Sequence, residues 1–353
     1  MKLKVGILGA TGAVGQKFVR LLENHPWFEL TALAASERSA GKPYRDAAHW
    51  IESAPLPSDV GELEVQLCQP GLDCDLVFSG LDSSVAGPIE KAFAKAGYPV
   101  ISNARNHRMD ADVPLLIPEV NPEHLALIER RETPGFIVTN PNCATVGLTM
   151  ALKPLQDAFG IEAVHVTTMQ ALSGAGYPGV ASLDAVANVV PFIGGEEDKL
   201  ETEPLRLLGA LHTEGGRPFV SSLTIPISAQ CNRVPVIEGH MECVSVKLKG
   251  SPLAERVRSA LEAFRSPDEV AALPSAPDRC IIIDSDDNAP QPRRDVHRGA
   301  GMTVSVGRVR SCPVFDVRFV VLSHNTIRGA AGGALLNAEL LAARGLLKHR
   351  TTD

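Results

Sequence analysis

Residues 4–8 form a short apolar run that breaks at Gly9-Ala10-Thr11-Gly12-Ala13-Val14-Gly15, after which Val14, Phe18, Leu21 and Leu22 recur at helical spacing. This order predicts a buried strand, a glycine turn and an amphipathic helix. Further apolar runs at 30–35, 63–67, 75–79 and 99–102, with a helical pattern at 89–96, continue the alternation of strand and helix. The first part of the chain is therefore expected to be α/β, a Rossmann-like doubly wound parallel sheet, with Ser79 and Ser102 at carboxyl strand ends, where such sheets bind ligands. A helical pattern at 123–131 follows, and the apolar run 136–138 leads to Asn140-Pro141-Asn142-Cys143, beyond which Leu148, Leu152, Leu155 and Phe159 again mark a helix. From there the pattern changes. Runs at 163–171, 234–238, 241–248, 280–284, 302–309 and 314–322 read as strands with few helices to cross between them, which predicts an α+β second domain with a mostly antiparallel sheet. The last helix, 326–347, opens with Arg328-Gly329-Ala330-Ala331-Gly332-Gly333, and its small residues suit close packing against the first domain. The expected division is 1–142, completed by 325–353, and 143–324.

Composition narrows the possibilities. A chain of 353 residues, 44% hydrophobic and 21% charged, with a net charge of -7, has ample core and nothing to attract a polyanion. A nucleic-acid partner is not expected. Seven cysteines form no C-x-x-C pair and fit neither a disulfide framework nor a zinc site, so no metal is expected and the thiols read as reduced, in a cytoplasm. Glycines interrupt the first apolar run too early for a signal peptide, and no stretch approaches a membrane span.

The chemistry concentrates in a few places. Gly9, Gly12 and Gly15 give G-x-x-G-x-x-G between strand and helix, a variant of the dinucleotide fingerprint in which backbone N–H groups approach a pyrophosphate at the helix start. After the second strand, Ser36, Arg38 and Ser39 suit a 2'-phosphate and favour NADP, while Glu37 keeps NAD open. Cys143 stands at a predicted helix N-terminus, where unpaired N–H groups and the positive dipole end favour thiolate. Together these suggest thiol-dependent aldehyde oxidation, or its reverse, through a thioester. The loop Asn103-Ala104-Arg105-Asn106-His107-Arg108 has the donors to hold an anion, or is a solvated charged loop. His240, in Arg233-Val-Pro-Val-Ile-Glu-Gly-His240, has the type for a proton shuttle, and Glu238-Gly239 can bulge a strand to re-aim it. Spacing alone does not separate that role from a structural histidine.

These motifs, with Gln170-Ala-Leu-Ser-Gly-Ala-Gly176 and Gly194-Gly-Glu-Glu-Asp-Lys199, resemble the aspartate-semialdehyde dehydrogenase family over the whole chain, nearest its archaeal and fungal branch. The resemblance implies reversible NADPH-dependent reduction of aspartyl 4-phosphate to aspartate 4-semialdehyde, on the route to lysine, methionine and threonine. It implies Cys143 as nucleophile and His240 as acid/base. Arg233 is then expected on the substrate carboxylate, Glu197 on its ammonium and Gln170 on the acyl group. Arg108, Asn142 and Lys199 are expected on phosphate. For NADP it implies Gly9, Thr11, Gly12, Ala13, Val14, Ser36, Arg38, Ser39 and Ser79, with Ser173 and Gly174 beside the nicotinamide and Asn325, taken as part of the last helix, on the cofactor. A homodimer or homotetramer is implied, with residues 180–230 as the contact region. Ala144 departs from the serine of many relatives, at a position that acts mainly through its N–H. The competing substrate reading is a malonyl or succinyl thioester reductase, which releases coenzyme A instead of phosphate. A non-catalytic NADP sensor on the same fold is the reading from another class.

Overall fold

The computed structural model describes residues 2–350. The first sheet contains β1 (Leu3–Leu8), β2 (Phe28–Ala35), β3 (Val65–Leu67), β4 (Leu76–Ser79), β5 (Pro99–Ser102) and β6 (Phe136–Thr139), all parallel in the order β3-β2-β1-β4-β5-β6. The longer helices of this part are α1 (Ala13–Leu22) and α2 (Ser83–Lys95). The order reverses between β1 and β4, and the Gly9 turn sits at that switch point, where open α/β sheets bind ligands.

The second sheet is reached through α3 (Cys143–Ala158), which begins four residues after β6 ends. Next come β7 (Ile161–Gln170), α4 (Glu196–Leu207), the hairpin β8 (Ala210–Glu214) and β9 (Arg217–Ser221), then β10 (Ile227–Arg233) and β11 (His240–Leu248). After α5 (Ala254–Ala263), the strands β12 (Ile281–Ile283), β13 (Val304–Ser311) and β14 (Val317–Ser323) complete the order β10-β7-β11-β14-β13-β12. Its three central ladders are antiparallel, as the strand pattern predicts, while both outer ones, β10 with β7 and β12 with β13, are parallel. Leu148, Leu152 and Leu155 of α3 pack on Val166, Val244, Val246 and Phe319, so the cysteine helix is clamped along its length to this sheet.

Several expectations need correction. Residues 234–238 are not a strand. The strand is Ile227–Arg233, its alternation partly hidden by polar Ser228, Gln230 and Asn232. Pro235 lies in the irregular link to β11, and Gly239 takes a φ of +98° just before His240. The helix read at 123–131 is a 3-10 coil, Pro122–Arg130. The last helix starts with a π-helical turn, Ile327–Ala331, and becomes regular only in α6 (Gly332–Ala343). Asn325 therefore precedes the helix, two residues beyond the end of β14. Leu335, Leu336, Leu340 and Leu341 of α6 share one core with Val5, Ile7, Phe18 and Phe78, so the chain's end packs into the first sheet's core.

Candidate active site

Two sets of residues lie on either side of the Ser173-Gly174 turn. The first comes from the glycine turn. A Cβ on Gly15 would lie 2.4 Å from the Gly9 carbonyl oxygen, and Gly9 itself has a φ of +77°. Only glycine allows both the turn and this approach. Gly12 caps α1 without a side-chain bond, so Thr11, Ala13 and Val14 present backbone at the helix start, a cradle suited to a dinucleotide pyrophosphate. Ser36, Arg38 and Ser39 lie past the end of the neighbouring strand β2, with Arg38 exposed and the Ser39 N–H bonded to the Ser36 carbonyl. Ser79 departs from this pattern. Its side chain is wholly buried on the Glu90 side, so only its backbone stands at the crevice.

The second set surrounds Cys143. Asn142 is the N-cap of α3, its Oδ1 accepting from the N–H groups of Ala144 at 3.0 Å and Thr145 at 3.3 Å, which exposes the sulfur at the helix start. Gly329 comes so close that a Cβ there would meet the Cys143 Cα at 2.8 Å. His240 begins β11 beside Gln170, the last residue of β7, and its Nε2 lies 3.2 Å from Sγ. Its Nδ1 accepts the Ala171 N–H at 3.1 Å, so the neutral ring carries its proton on Nε2, facing sulfur. Burial, then the charges of Arg233 and His324, push this imidazole down to about 3. Burial, then the Glu196 carboxylate, push the Cys143 thiol up to about 12, against Arg108, Lys199 and Arg233. The Nε2–H and the helix start oppose that rise, because both stabilise sulfur as an anion.

Arg233 ends β10 and donates from Nη1 to the Ala171 carbonyl at 2.6 Å. A Cβ on Gly174 would meet that Nη1 at 2.8 Å and the His240 ring at 2.9 Å, so the glycine lets both side chains into the cleft. Asn325 donates to Ser173 Oγ at 2.8 Å and accepts the Gly239 N–H at 2.9 Å, which joins the Ser173-Gly174 turn to the His240 strand. The cleft between these segments measures about 540 Å³ and runs past Ala13, Ser173, Tyr177, Glu238 and His324.

Residues 196–203 are rich in charge, and only part of the stretch, such as Asp198 and Thr202, is exposed. The stretch lies in α4, and Glu196, Lys199 and Glu203, at helical spacing, look into the site. Glu197 does not: it accepts the Cys231 N–H at 3.1 Å. The acid beside the thiol is Glu196, which bonds Asn142 Nδ2 at 2.8 Å, Gln170 Nε2 at 3.3 Å and Lys199 Nζ at 2.6 Å. Burial would raise its carboxyl, but Lys199, Asn142 and Gln170 hold it below the usual range. Asn142 thus has one amide N–H on Glu196 and the second without a partner among the described residues. Arg108 is brought in from the first domain, donating to Glu203 at 2.8 Å and to the Asn103 carbonyl at 2.7 Å. Glu196 and Glu203 escape a reading by composition. Their signal is the spacing i, i+3, i+7 after Gly194-Gly195.

Among the described residues, Glu238, His297 and His324 are the one group whose ligand atoms approach each other closely enough for a metal ion. His324 Nδ1 accepts the Ile327 N–H at 3.3 Å, which leaves its proton on Nε2, 3.4 Å from Glu238. His297 Nε2 lies 3.9 Å from the same carboxylate, so Glu238 stands between the two imidazoles.

Comparison with known proteins bears on the same residues. Residues 4–128 match the family model described as semialdehyde dehydrogenase, NAD binding domain, and residues 152–328 match semialdehyde dehydrogenase, dimerisation domain. An aspartate-semialdehyde dehydrogenase of Archaeoglobus fulgidus is 50% identical over 346 residues, covering 97% of this chain and 98% of its own. That of Schizosaccharomyces pombe is 49% identical, over 98% and 99%. The crystal structure of the Candida albicans aspartate-semialdehyde dehydrogenase with NADP superposes with a TM-score of 0.91 at 46% identity, over 98% and 99% of the two chains. A Vibrio cholerae aspartate-semialdehyde dehydrogenase II complexed with ASA reaches 0.77 at 29%, over 97% and 98%. With a glycine cradle, a cysteine at a helix start and His240 at its sulfur, this chain belongs to the aspartate-semialdehyde dehydrogenase family and stands nearest its archaeal and fungal members.

Proposed function

We propose that this protein interconverts L-aspartyl 4-phosphate and L-aspartate 4-semialdehyde with NADP, on the route to lysine, threonine and methionine. The observation that carries this reading is the cluster around Cys143, with His240 Nε2 at its sulfur and Arg233 and Arg108 near it, set behind the Ser173-Gly174 turn that lines the cleft past Ala13. Three cations, Arg108, Lys199 and Arg233, stand around the thiol against two carboxylates, Glu196 and Glu203. That balance suits a substrate carrying a carboxylate and a phosphate.

NADP, when bound, accepts or supplies the hydride. The glycine cradle and Arg38 fit its phosphates, and Ser173, Gly174 and Asn325 are placed for its nicotinamide end. Cys143 gives up its thiol proton to water, the thiolate attacks the aldehyde carbon, and the carbonyl oxygen becomes an alkoxide. His240 serves that oxygen through Nε2. Its Nδ1 is taken by the Ala171 N–H and its charged form is disfavoured, so the neutral ring acts as hydrogen-bond donor to the alkoxide. This narrows the acid/base role expected for His240, because becoming imidazolium would cost the Ala171 bond. Loss of hydride leaves a thioester on Cys143, which phosphate cleaves to give the acyl phosphate and free the sulfur. Arg233 holds the substrate carboxylate, Glu196 takes the ammonium in place of Glu197, and Gln170 orients the acyl group. Arg108 and Lys199 hold phosphate, with Asn142 as the cap that sets Cys143.

The chain acts as a homodimer or homotetramer in the cytoplasm. Leu183, Val186, Val189 and Phe192 are exposed in one segment of the expected contact region, and no described helix is long and apolar enough to cross a membrane. The test is NADPH formation from aspartate semialdehyde, followed with phosphate and with coenzyme A. Dependence on phosphate supports the proposal. Dependence on coenzyme A instead assigns the chain to the thioester reductases.

A further inference from the structure

Glu203 is 3% exposed and lies on α4, away from the charged surface its sequence suggests. One carboxylate oxygen accepts from Arg108 Nη1 at 2.8 Å, and the other accepts the backbone N–H of Asn142 at 2.6 Å. Arg108 belongs to the loop after β5 in the first domain, whereas Asn142 caps the cysteine helix. A single side chain thus joins the proposed phosphate-binding guanidinium to the residue before the nucleophile. The same helix holds Asn142 a second time, through Glu196 at 2.8 Å.

We infer that Glu203 is a positioning residue for the phosphate half-reaction, fixing Arg108 against the N-cap of Cys143 so that the anion is delivered in line with the thioester. This inference rests on the phosphate reading given above. Two of the five guanidinium N–H donors are spent, on Glu203 and on the Asn103 carbonyl, which sets the plane of the group and leaves one further N–H on each terminal nitrogen, while Nε is buried without a partner among the described residues. Without Glu203, Arg108 keeps only its Asn103 bond and is free to swing, and the Asn142 N–H loses its acceptor. Both changes act on the distance between the phosphate oxygen and the thioester carbonyl carbon, to which attack is steeply sensitive, sulfur being the leaving group.

The discriminating experiment uses the full chain, assayed as NADPH formation from the semialdehyde with phosphate varied. Glu203→Gln, which keeps an acceptor for Asn142 but cannot hold Arg108 as a carboxylate does, should raise the KM for phosphate about tenfold or more. The dissociation constant for NADP should stay within about twofold, because the cradle is untouched. Glu203→Asp keeps the charge but is one methylene shorter and reaches one partner at a time, so it should fall between the two. In an Arg108→Ala background Glu203→Gln should add little further loss, since the contact it serves is gone. An unchanged phosphate KM in both folded variants overturns the inference. So does a loss that multiplies in full with that of Arg108→Ala, or an equal loss for NADP, either of which marks a merely structural residue. If Glu203→Gln fails to fold, Glu203→Asp and the Arg108→Ala cycle on it decide. Failure of the underlying reading looks different: the unsubstituted protein would then show no phosphate dependence at all.

Discussion

At the Gly9 turn the cleft is shaped by backbone, and missing side chains are what allow a ligand in. Around Cys143 it is shaped by side chains. His240, Arg233, Glu196, Glu203 and Arg108 come from β11, β10, α4 and the loop after β5, and both ring nitrogens of His240 and all four oxygens of the two carboxylates already have partners. The two ends should therefore fail differently. A change at the turn should act by steric displacement, on cofactor affinity alone. A change near the sulfur should act through charge and orientation, on turnover or on substrate and phosphate.

The largest expected effect is that of Cys143→Ala. It removes the only atom that can carry the acyl group, so turnover should fall by about 10⁴-fold or more, while NADP affinity stays within about twofold. Equilibrium binding by fluorescence alongside the activity assay checks both, and retained turnover would end the covalent mechanism. Arg233→Lys comes next. It keeps the charge but loses the planar fork, and the KM for the semialdehyde should rise roughly tenfold to a hundredfold, with no change in NADP binding.

Gly15→Ala tests the other end. The added Cβ would meet the Gly9 carbonyl oxygen at 2.4 Å and the Ala10 Cα at 2.6 Å, so backbone has to move. NADP affinity should fall about tenfold, while the reaction of Cys143 with iodoacetamide in the absence of cofactor stays the same. If alkylation also changed, the two ends would be one mechanical unit and the contrast would be lost.

This contrast also explains what the sequence discloses. The first sheet, the glycine turn and the helix start at Cys143 are legible, because strand-turn-helix order carries them, whereas His240 and Arg233 stand out only through the family resemblance. Glu197 is the acid expected on the substrate ammonium, yet the helix turns Glu196 toward the thiol and Glu197 to the Cys231 N–H, and two adjacent acids are equivalent until that phase is known. The phase was hidden because 196–203 is polar enough to read as a solvated run. Strand β10 was missed for a related reason: Ser228, Gln230 and Asn232 mask its alternation, and the apolar run just after it drew the assignment. The helix start at Cys143 is legible, while Asn142 as its cap appears only in the structure, and its bonds to Glu196 and Glu203 span 54 and 61 residues.

The pH response separates the ends further. Since burial and Glu196 hold the Cys143 thiol up at about 12, the thiolate fraction should keep rising through neutral and mildly alkaline pH. Alkylation of Cys143 should therefore climb about tenfold per pH unit between roughly pH 7 and 9 without a plateau. With His240 held down at about 3, no inflection near the ordinary histidine range should belong to it. A plateau below about pH 8 would mean that the Nε2–H and the helix start outweigh burial at the sulfur.

The smallest effect probes the side-chain end from beneath. Glu242 lies on β11 two residues beyond His240, wholly buried, with neither carboxylate oxygen hydrogen-bonded. Burial raises its pKa well above the ordinary 4.5. The folded protein therefore keeps a proton that the unfolded chain gives up as pH passes its own carboxyl pKa. Stability from this group is in full effect below that unfolded value and is lost as pH rises toward the folded one. Glutamine has nearly the same shape and is neutral throughout. Glu242→Gln should thus match the unsubstituted protein in Tm near pH 4.5 and exceed it by a growing margin up to about pH 8, with the KM for phosphate and NADP affinity unchanged. A lower Tm at pH 8 would show that the carboxylate is charged and held by a favourable partner. The charge pattern around Cys143 would then extend below His240 into the sheet, and the site's electrostatics would no longer end at its visible side chains.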